Sequence, residues 1–496
     1  MNDSGIRLTT STLPLADVEA DWLVAGIGES PSPALAYLDV RLGGAIARLH
    51  EAGDLTGKAN ELLTLHAPVG IKAKRLLLVG LGKTEEISRR TLHDAAATAL
   101  RSITGKKFAR VALAVPELAT VAIDEAVLAF GVGAIQGSHG PGVRKTEPSR
   151  NPPQEIVLVV PAGKNVEAAV RRAAVEGDAL TLARSLVNTP PCDLYPETFA
   201  AKISDIAREL GIDCDIWDEG RLAAERMGAI LGIAQGSVRP ARLAILRYNG
   251  GGTKTLAYVG KGVTFDSGGL SLKTNEQMLD MKCDMAGAAT VLAAVQAIAQ
   301  LKVPVNVLAV MPLVENMPSG LAVKLGDVLK SRNGKTIEIL NTDAEGRVIL
   351  ADALAYAAEQ KVDHIVDLAT LTGAVMIALG TEICGLMSNN DEWANRVRGS
   401  IVKAGERAWQ LPMDRDFEEA LQSKVADYKN APGIRYGGAI TGGKFLEQFV
   451  DKIPWVHLDI AGPAWADKDS AAKDAGGTGA YVRGLIELAH AYGKAG

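Results

Sequence analysis

Leu256-Ala257-Tyr258-Val259-Gly260-Lys261-Gly262-Val263-Thr264-Phe265-Asp266-Ser267-Gly268-Gly269 governs how the rest of the chain is read. A short apolar run, of the kind that fits one buried strand, opens directly into a glycine-rich block carrying a lysine and an aspartate. Outward from it the pattern repeats. Residues 305–310, 336–340, 364–371 and 456–460 read as further strands beside 256–259, and 286–301 and 348–360 read as helices. Strands separated by helices imply a largely parallel sheet, and such sheets gather ligands at the carboxyl ends of their strands.

Toward the N-terminus the texture is similar but smaller: 75–79 and 110–115 read as strands, and 92–103 as an amphipathic helix. Turn formers then accumulate at Gly140-Pro141-Gly142 and in the polar run 147–154, before a strand at 156–160 and a charged helical run from 165. The expected fold class is therefore α/β in two parts. A smaller N-terminal α/β domain covers 1–164, a connecting helix 165–188, and a larger C-terminal α/β domain with a mostly parallel central sheet 189–496.

A chain of 496 residues is too long for one usual domain. Its 47% hydrophobic and 22% charged residues exclude a mostly disordered, collagenous or coiled-coil protein. Lys plus Arg number 53 against 58 Asp plus Glu, so the net charge of -5 does not indicate a dedicated nucleic-acid binder. Cys192, Cys214, Cys283 and Cys384 are scattered, as expected of a reduced, cytoplasmic chain. The opening Met1-Asn2-Asp3-Ser4 has no basic region typical of a secretory signal. Two long uncharged stretches, 126–143 and 285–301, read as buried helices rather than membrane spans.

Several familiar chemistries are missing. Gly82-Lys83-Thr84 and Gly438 to Lys444-Phe445 each fail to complete a phosphate-binding loop. No G-x-S-x-G elbow and no H-E-x-x-H motif occurs. His457, in an apolar strand, reads as a hydrogen-bonded core histidine, and Cys283 as a buried thiol.

Two blocks carry the chemistry instead. The first runs from Gly260 through Lys261, Asp266 and Lys273 to Asp284; the second is Asn341-Thr342-Asp343-Ala344-Glu345-Gly346-Arg347. Taken singly, the first is a glycine turn with solvated charges and the second a helix cap, Thr342 and Glu345 matching a capping box. Both blocks, however, follow expected strands of one parallel sheet, so their charges converge at one rim. Four carboxylates gathered without cations would be prohibitively costly. A pair of divalent metals removes that cost, and carboxylates suit manganese, magnesium or zinc.

The segment Asn341 to Val348 resembles the signature of the leucyl aminopeptidases, the two-metal cytosol aminopeptidases. The spacings from Lys261 to Asp266 and Lys273, and from Asp266 to Glu345, match that family. So do Leu186-Val187-Asn188-Thr189-Pro190-Pro191, Glu315-Asn316-Met317-Pro318-Ser319-Gly320, Gly437-Gly438-Ala439-Ile440-Thr441 and His457-Leu458-Asp459-Ile460-Ala461-Gly462. The resemblance is specific over roughly 180–490, and departures lie at 321–325 and 467–475.

The resemblance implies a catalytic C-terminal domain that removes N-terminal residues from peptides with a broad, leucine-type preference. It implies two divalent ions, Mn or Zn, bridging a water. One would be held by Lys261, Asp266, Asp284 and Glu345, the other by Asp266, Asp343 and Glu345 with the Asp343 carbonyl. Lys273 would stabilise the oxyanion, and Arg347 would hold a bicarbonate acting as general base. Met281, Thr370, Leu371 and Gly373 would line the substrate pocket, and the assembly would be a homohexamer. A DNA-binding regulatory role is the alternative from another class.

Overall fold

The computed structural model describes residues 5–29, 33–433 and 436–494, so the N-terminal Met1 to Ser4 lie outside the described residues. The chain forms two compact units, one of residues up to 181 with 468–475, the other of 182–467 with the residues from 476 onward.

The first unit is built on strands β1 (Arg7–Ser11), β2 (Trp22–Gly28), β3 (Leu62–His66), β4 (Arg75–Gly82), β5 (Arg110–Ala114) and β6 (Glu155–Val159). They order as β1-β6-β5-β2-β4-β3, parallel except for β3. Helices Arg89–Ile103 and Ile123–Ser138 pack against each other and against one face, sharing Leu92, Leu100, Phe130 and Ile135 in an aliphatic core. Gly137 permits that approach, because a Cβ there would sit 2.8 Å from Ala97 Cα. Gly133 and Gly137 therefore mark close helix contact, a Cβ on either meeting backbone of the helix Arg89–Ile103.

The helix Glu167–Asn188 contains the boundary between the units near residue 181. Residues 468–475, expected in the C-terminal domain, group instead with the first unit. The reason is a buried ion cluster, in which the Asp474 carboxylate lies against the guanidinium groups of Arg101 and Arg150.

In the second unit the main sheet comprises β7 (Asp213–Trp217), β8 (Arg242–Asn249), β9 (Thr255–Gly260), β10 (Gly262–Asp266), β11 (Asn306–Asn316), β14 (His364–Ala369), β15 (Cys384–Ser388), β16 (Ala408–Gln410) and β18 (Trp455–Asp459). The intervening β12 (Val328–Lys330), β13 (Thr336–Glu338) and β17 (Tyr428–Lys429) form a separate small sheet. In the main sheet β18, β14, β9, β11 and β10 are mutually parallel, with antiparallel partners outside them. The central strands are buried on both faces, which is why they read as continuous apolar runs.

One expectation changes. Residues 336–340 do not supply a strand of the main sheet; β13 pairs with β12 and β17. The segment makes a tight hairpin, Ser331 N donating to Lys335 O, and only Ile337 of its three residues is buried. An alternating strand of that kind suits a small surface sheet better than a doubly covered one. Among the described residues, one helical stretch, Asn275–Gln300, is long and apolar enough to cross a membrane; 89% of its apolar window is buried in the protein.

Candidate metal centre

Five side chains arrive at one rim because five parallel strands end there. Lys261 follows β9, Asp266 ends β10, Asn316 ends β11, Thr370 follows β14 and Asp459 ends β18. A register shift between Val263 and Phe265 where β10 pairs with β11 bends the strand just before Asp266. Asp284 enters from the short 3-10 turn Met281–Met285, and Asp343, Glu345 and Arg347 from the start of the helix Glu345–Glu359.

The two lysines divide the carboxylates between them. Lys261 Nζ lies 2.7 Å from Asp284 Oδ1 and 2.8 Å from Glu345 Oε1, and donates to the Thr370 carbonyl at 2.9 Å. Lys273 Nζ lies 2.6 Å from Asp343 Oδ1 and 2.9 Å from Asp266 Oδ2. Burial alone would lower the pKa of both lysines, but the adjacent carboxylates outweigh it and hold both well above the ordinary lysine value. Burial, reinforced by Glu345, pushes Asp266 up to about 7 against the pull of the lysines. Burial likewise raises Asp284, whereas Glu345 is held below its usual range because Lys261 and Lys273 overcome its desolvation.

The donor set fits divalent cations. Oxygens of Asp266, Asp343 and Glu345 lie within 4.8 Å of one another, and Asp284 Oδ2 is buried without a hydrogen-bond partner. Four carboxylates face two ammonium groups, an oxygen-rich arrangement suited to hard or borderline ions.

Arg347 lies beside this cluster, 7% exposed, with Nη1 donating to the Asn430 carbonyl at 3.0 Å. Its Nε is buried without a partner, and burial draws its pKa down to about 10 against the pull of Glu345 and Asp459. A cation with an unsatisfied donor in such a place suits an anion. The lysines, the acids and Arg347 border one cavity of about 740 Å³, and Met281, Thr370, Leu371 and Gly373 line it as well.

The second block does not reach the rim through a strand of the main sheet. It is laced there by side chains: Thr342 Oγ1 donates to Gly268 O at 2.6 Å and accepts from Ser271 N at 2.8 Å. Thr342 is therefore no helix cap; Ala344 holds that position. Two asparagines that the sequence does not mark as site residues complete the lacing. Asn316 Nδ2 bonds both Asp266 Oδ1 at 2.8 Å and Thr342 O at 2.9 Å. Asn430, fully buried, accepts from Leu340 N and donates to Asn341 O at 2.6 Å. Asn316 stands within the quoted Glu315 to Gly320 segment; Asn430 has no sequence signal. His457 is a core histidine, Nδ1 lying 2.6 Å from Asp367 Oδ1. Cys283 is a buried thiol raised to about 12 by burial and by Asp284.

Such a centre, with acids and lysines at the carboxyl rim of a mixed sheet whose core is parallel, is that of an α/β protein with a donor set suited to divalent cations. Comparison with known proteins carries the assignment further. The model of the cytosol aminopeptidase family matches its catalytic domain to residues 181–486 and its N-terminal domain to 25–148. A probable cytosol aminopeptidase of Rhodopirellula baltica is 45% identical over 91% of this chain and 88% of its own length. Among solved structures, a mutant of tomato leucine aminopeptidase superposes with a TM-score of 0.88 at 33% identity, covering 98% of this chain and 96% of that one. The bottromycin maturation enzyme BotP in complex with Mn does so at 0.86 and 34%, covering 96% and 100%.

The chain belongs to the cytosol aminopeptidase family. It is a metal-dependent aminopeptidase that acts on the N-terminal bond of peptides. Nothing in these comparisons supports the DNA-binding alternative.

Gly346 shows how closely the centre is fitted, since a Cβ there would lie 2.5 Å from Lys261 Nζ. Gly346→Ala is expected to leave the fold intact and lower activity at least about tenfold, with weaker metal retention, because overpacking costs ~1–3 kcal/mol. Metal analysis beside kcat/KM checks this; unchanged values would show that Lys261 has room to move.

Proposed function

We propose that this aminopeptidase works through two divalent ions, Mn or Zn, held by Lys261, Asp266, Asp284, Asp343 and Glu345, with Asp266 and Glu345 serving both. The observation that carries the reading is the gathering of these groups at one rim, with Asp266, Asp343 and Glu345 oxygens within 4.8 Å. The Mn complex of BotP supports manganese as one candidate. When bound, such ions lower the pKa of water and polarise the scissile carbonyl.

The chain's own groups do the rest. Lys261 must release its proton to ligate, since only the neutral amine has a lone pair. Lys273, which lies between Asp266 and Asp343, would donate to the oxyanion that develops as the carbonyl is attacked. Arg347, with its unpartnered Nε, would hold a bicarbonate, and that anion would supply a general base beside the centre. Met281, Thr370, Leu371 and Gly373 receive the N-terminal side chain, and their largely apolar character supports a broad, leucine-type preference. The family relationship supports a cytosolic homohexamer as the working form, which light scattering of the purified protein tests directly. Metal analysis paired with turnover across a series of aminoacyl amides tests the function as a whole. Full activity after removal of every divalent ion would overturn it.

Arg347→Ala is expected to slow peptide hydrolysis while sparing metal content. Added bicarbonate should speed the wild type more than the variant at constant pH and ionic strength. Equal responses would remove Arg347 and bicarbonate from the reaction.

A further inference from the structure

The carboxylate of Asp459 stands at the end of β18, fully buried, and nothing in the two-ion chemistry requires it. Its hydrogen bonds point the other way, into the walls of the pocket. Oδ2 accepts from Thr372 Oγ1 at 2.6 Å; Oδ1 accepts from the backbone N–H groups of Leu371 at 3.1 Å, Thr372 at 3.4 Å and Ala461 at 3.3 Å. One side chain thus ties together two separate loops, the one leaving β14 and the one leaving β18, and Leu371, Thr372, Gly373 and Ala461 of those loops line the cavity.

The tie extends into the centre. Thr370, next to Leu371, donates from Oγ1 to Asp284 Oδ1 at 2.7 Å, and its carbonyl receives the Lys261 ammonium. Thr372 also caps the following helix Gly373–Leu379 by accepting from Val375 N at 3.1 Å, so the loop has little freedom once its hydroxyl is fixed. A fully buried carboxylate is tolerated only where hydrogen bonds satisfy it, and here four donors from the two loops do so.

We infer that Asp459 is the positioning residue that sets the width of the side-chain pocket, by holding the Leu371–Thr372 backbone and the Ala461 backbone at a fixed separation. The inference rests on the reading that this cavity receives the substrate's N-terminal side chain. In the assembled enzyme, discrimination between a large and a small N-terminal residue depends on that separation, because an unfilled or crowded pocket changes transition-state binding by roughly ten- to two-hundredfold per methylene. Asp459 touches neither substrate nor metal ligand; it acts through the two loops.

The test uses metal-loaded, full-length enzyme and a series of leucyl, alanyl and phenylalanyl amides. Asp459→Ala is expected to keep its metal and to raise KM for the leucyl substrate far more than it lowers kcat. The ratio of leucyl to alanyl kcat/KM should fall at least about fivefold. Asp459→Asn keeps an acceptor for the backbone donors and should restore most of that ratio. If Asp459→Ala does not fold, Thr372→Val decides, since it removes the hydroxyl donor with little change of shape and should flatten selectivity in the same direction. An unchanged selectivity ratio in the folded variant, a uniform loss of kcat across the series, or loss of metal would each overturn the inference. An inactive wild type would instead overturn the functional reading itself, so the two failures are distinguishable.

Discussion

Asp266→Ala is expected to abolish peptide hydrolysis almost completely and to lower the metal content of the purified enzyme. Asp266 is 2% exposed, and its carboxylate is aimed by Gly268 N at 2.8 Å and Asn316 Nδ2 at 2.8 Å. Glu345→Ala should behave in the same way, because Glu345 is 1% exposed and is a neighbour of Lys261 at 2.8 Å. Under the proposed two-ion reading, losing a group shared by both ions removes several kcal/mol of charge stabilisation, on the order of a thousandfold in rate. Metal analysis and kcat/KM on each folded variant check both results. Full metal occupancy with wild-type turnover in either one would show that the centre lies elsewhere.

The second large effect concerns Lys273. With its Nζ 2.6 Å from Asp343 Oδ1 and 2.9 Å from Asp266 Oδ2, it sits against the acids yet borders the cavity. Lys273→Ala is expected to retain its metal and to cut kcat about a hundredfold or more, the scale of losing one oxyanion donor. KM should move much less, since under the proposed role the lost interaction would form only as charge develops on the carbonyl. Lys261→Ala provides the contrast, as it should lose metal first. Were Lys273→Ala to lose metal instead, the roles of the two lysines would have to be exchanged.

Much of the centre is legible in the amino-acid sequence. The charged residues stand in two short blocks beside strands and glycines, and every one of Lys261, Asp266, Lys273, Asp284, Asp343, Glu345 and Arg347 borders the same cavity. The residues that hold these blocks together are not legible in that way. Asn316 lies 26 positions from Thr342, Asn430 lies 89 from Asn341, and Asp459 lies 87 from Thr372. An asparagine at a strand end has the same local pattern whether or not it clamps a distant loop.

The segment 336–340 shows the same limit from the other side. Its apolar pattern predicts a strand, and β13 is one, but its neighbours are β12 and β17. The reasoning that both blocks follow strands of one sheet therefore holds only for the first block, and Thr342 and Asn430 bring the second to the rim by side-chain bonds. Residues 468–475 likewise lie late in the chain yet fold with the first unit around Asp474.

The amino-acid sequence by itself determined the class of fold and the ionisable groups that border the cavity. Burial period, turn residues and the identity of ionisable groups are local properties, written out along the chain. The tertiary structure alone decided which sheet each strand joined, which asparagine aims the Asp266 carboxylate and which one clamps the second block, and that Asp459 spans two pocket walls. Those outcomes depend on hydrogen bonds between backbone and side chains far apart in sequence. Such bonds are worth forming only once burial has removed the competing water, and no local pattern announces them.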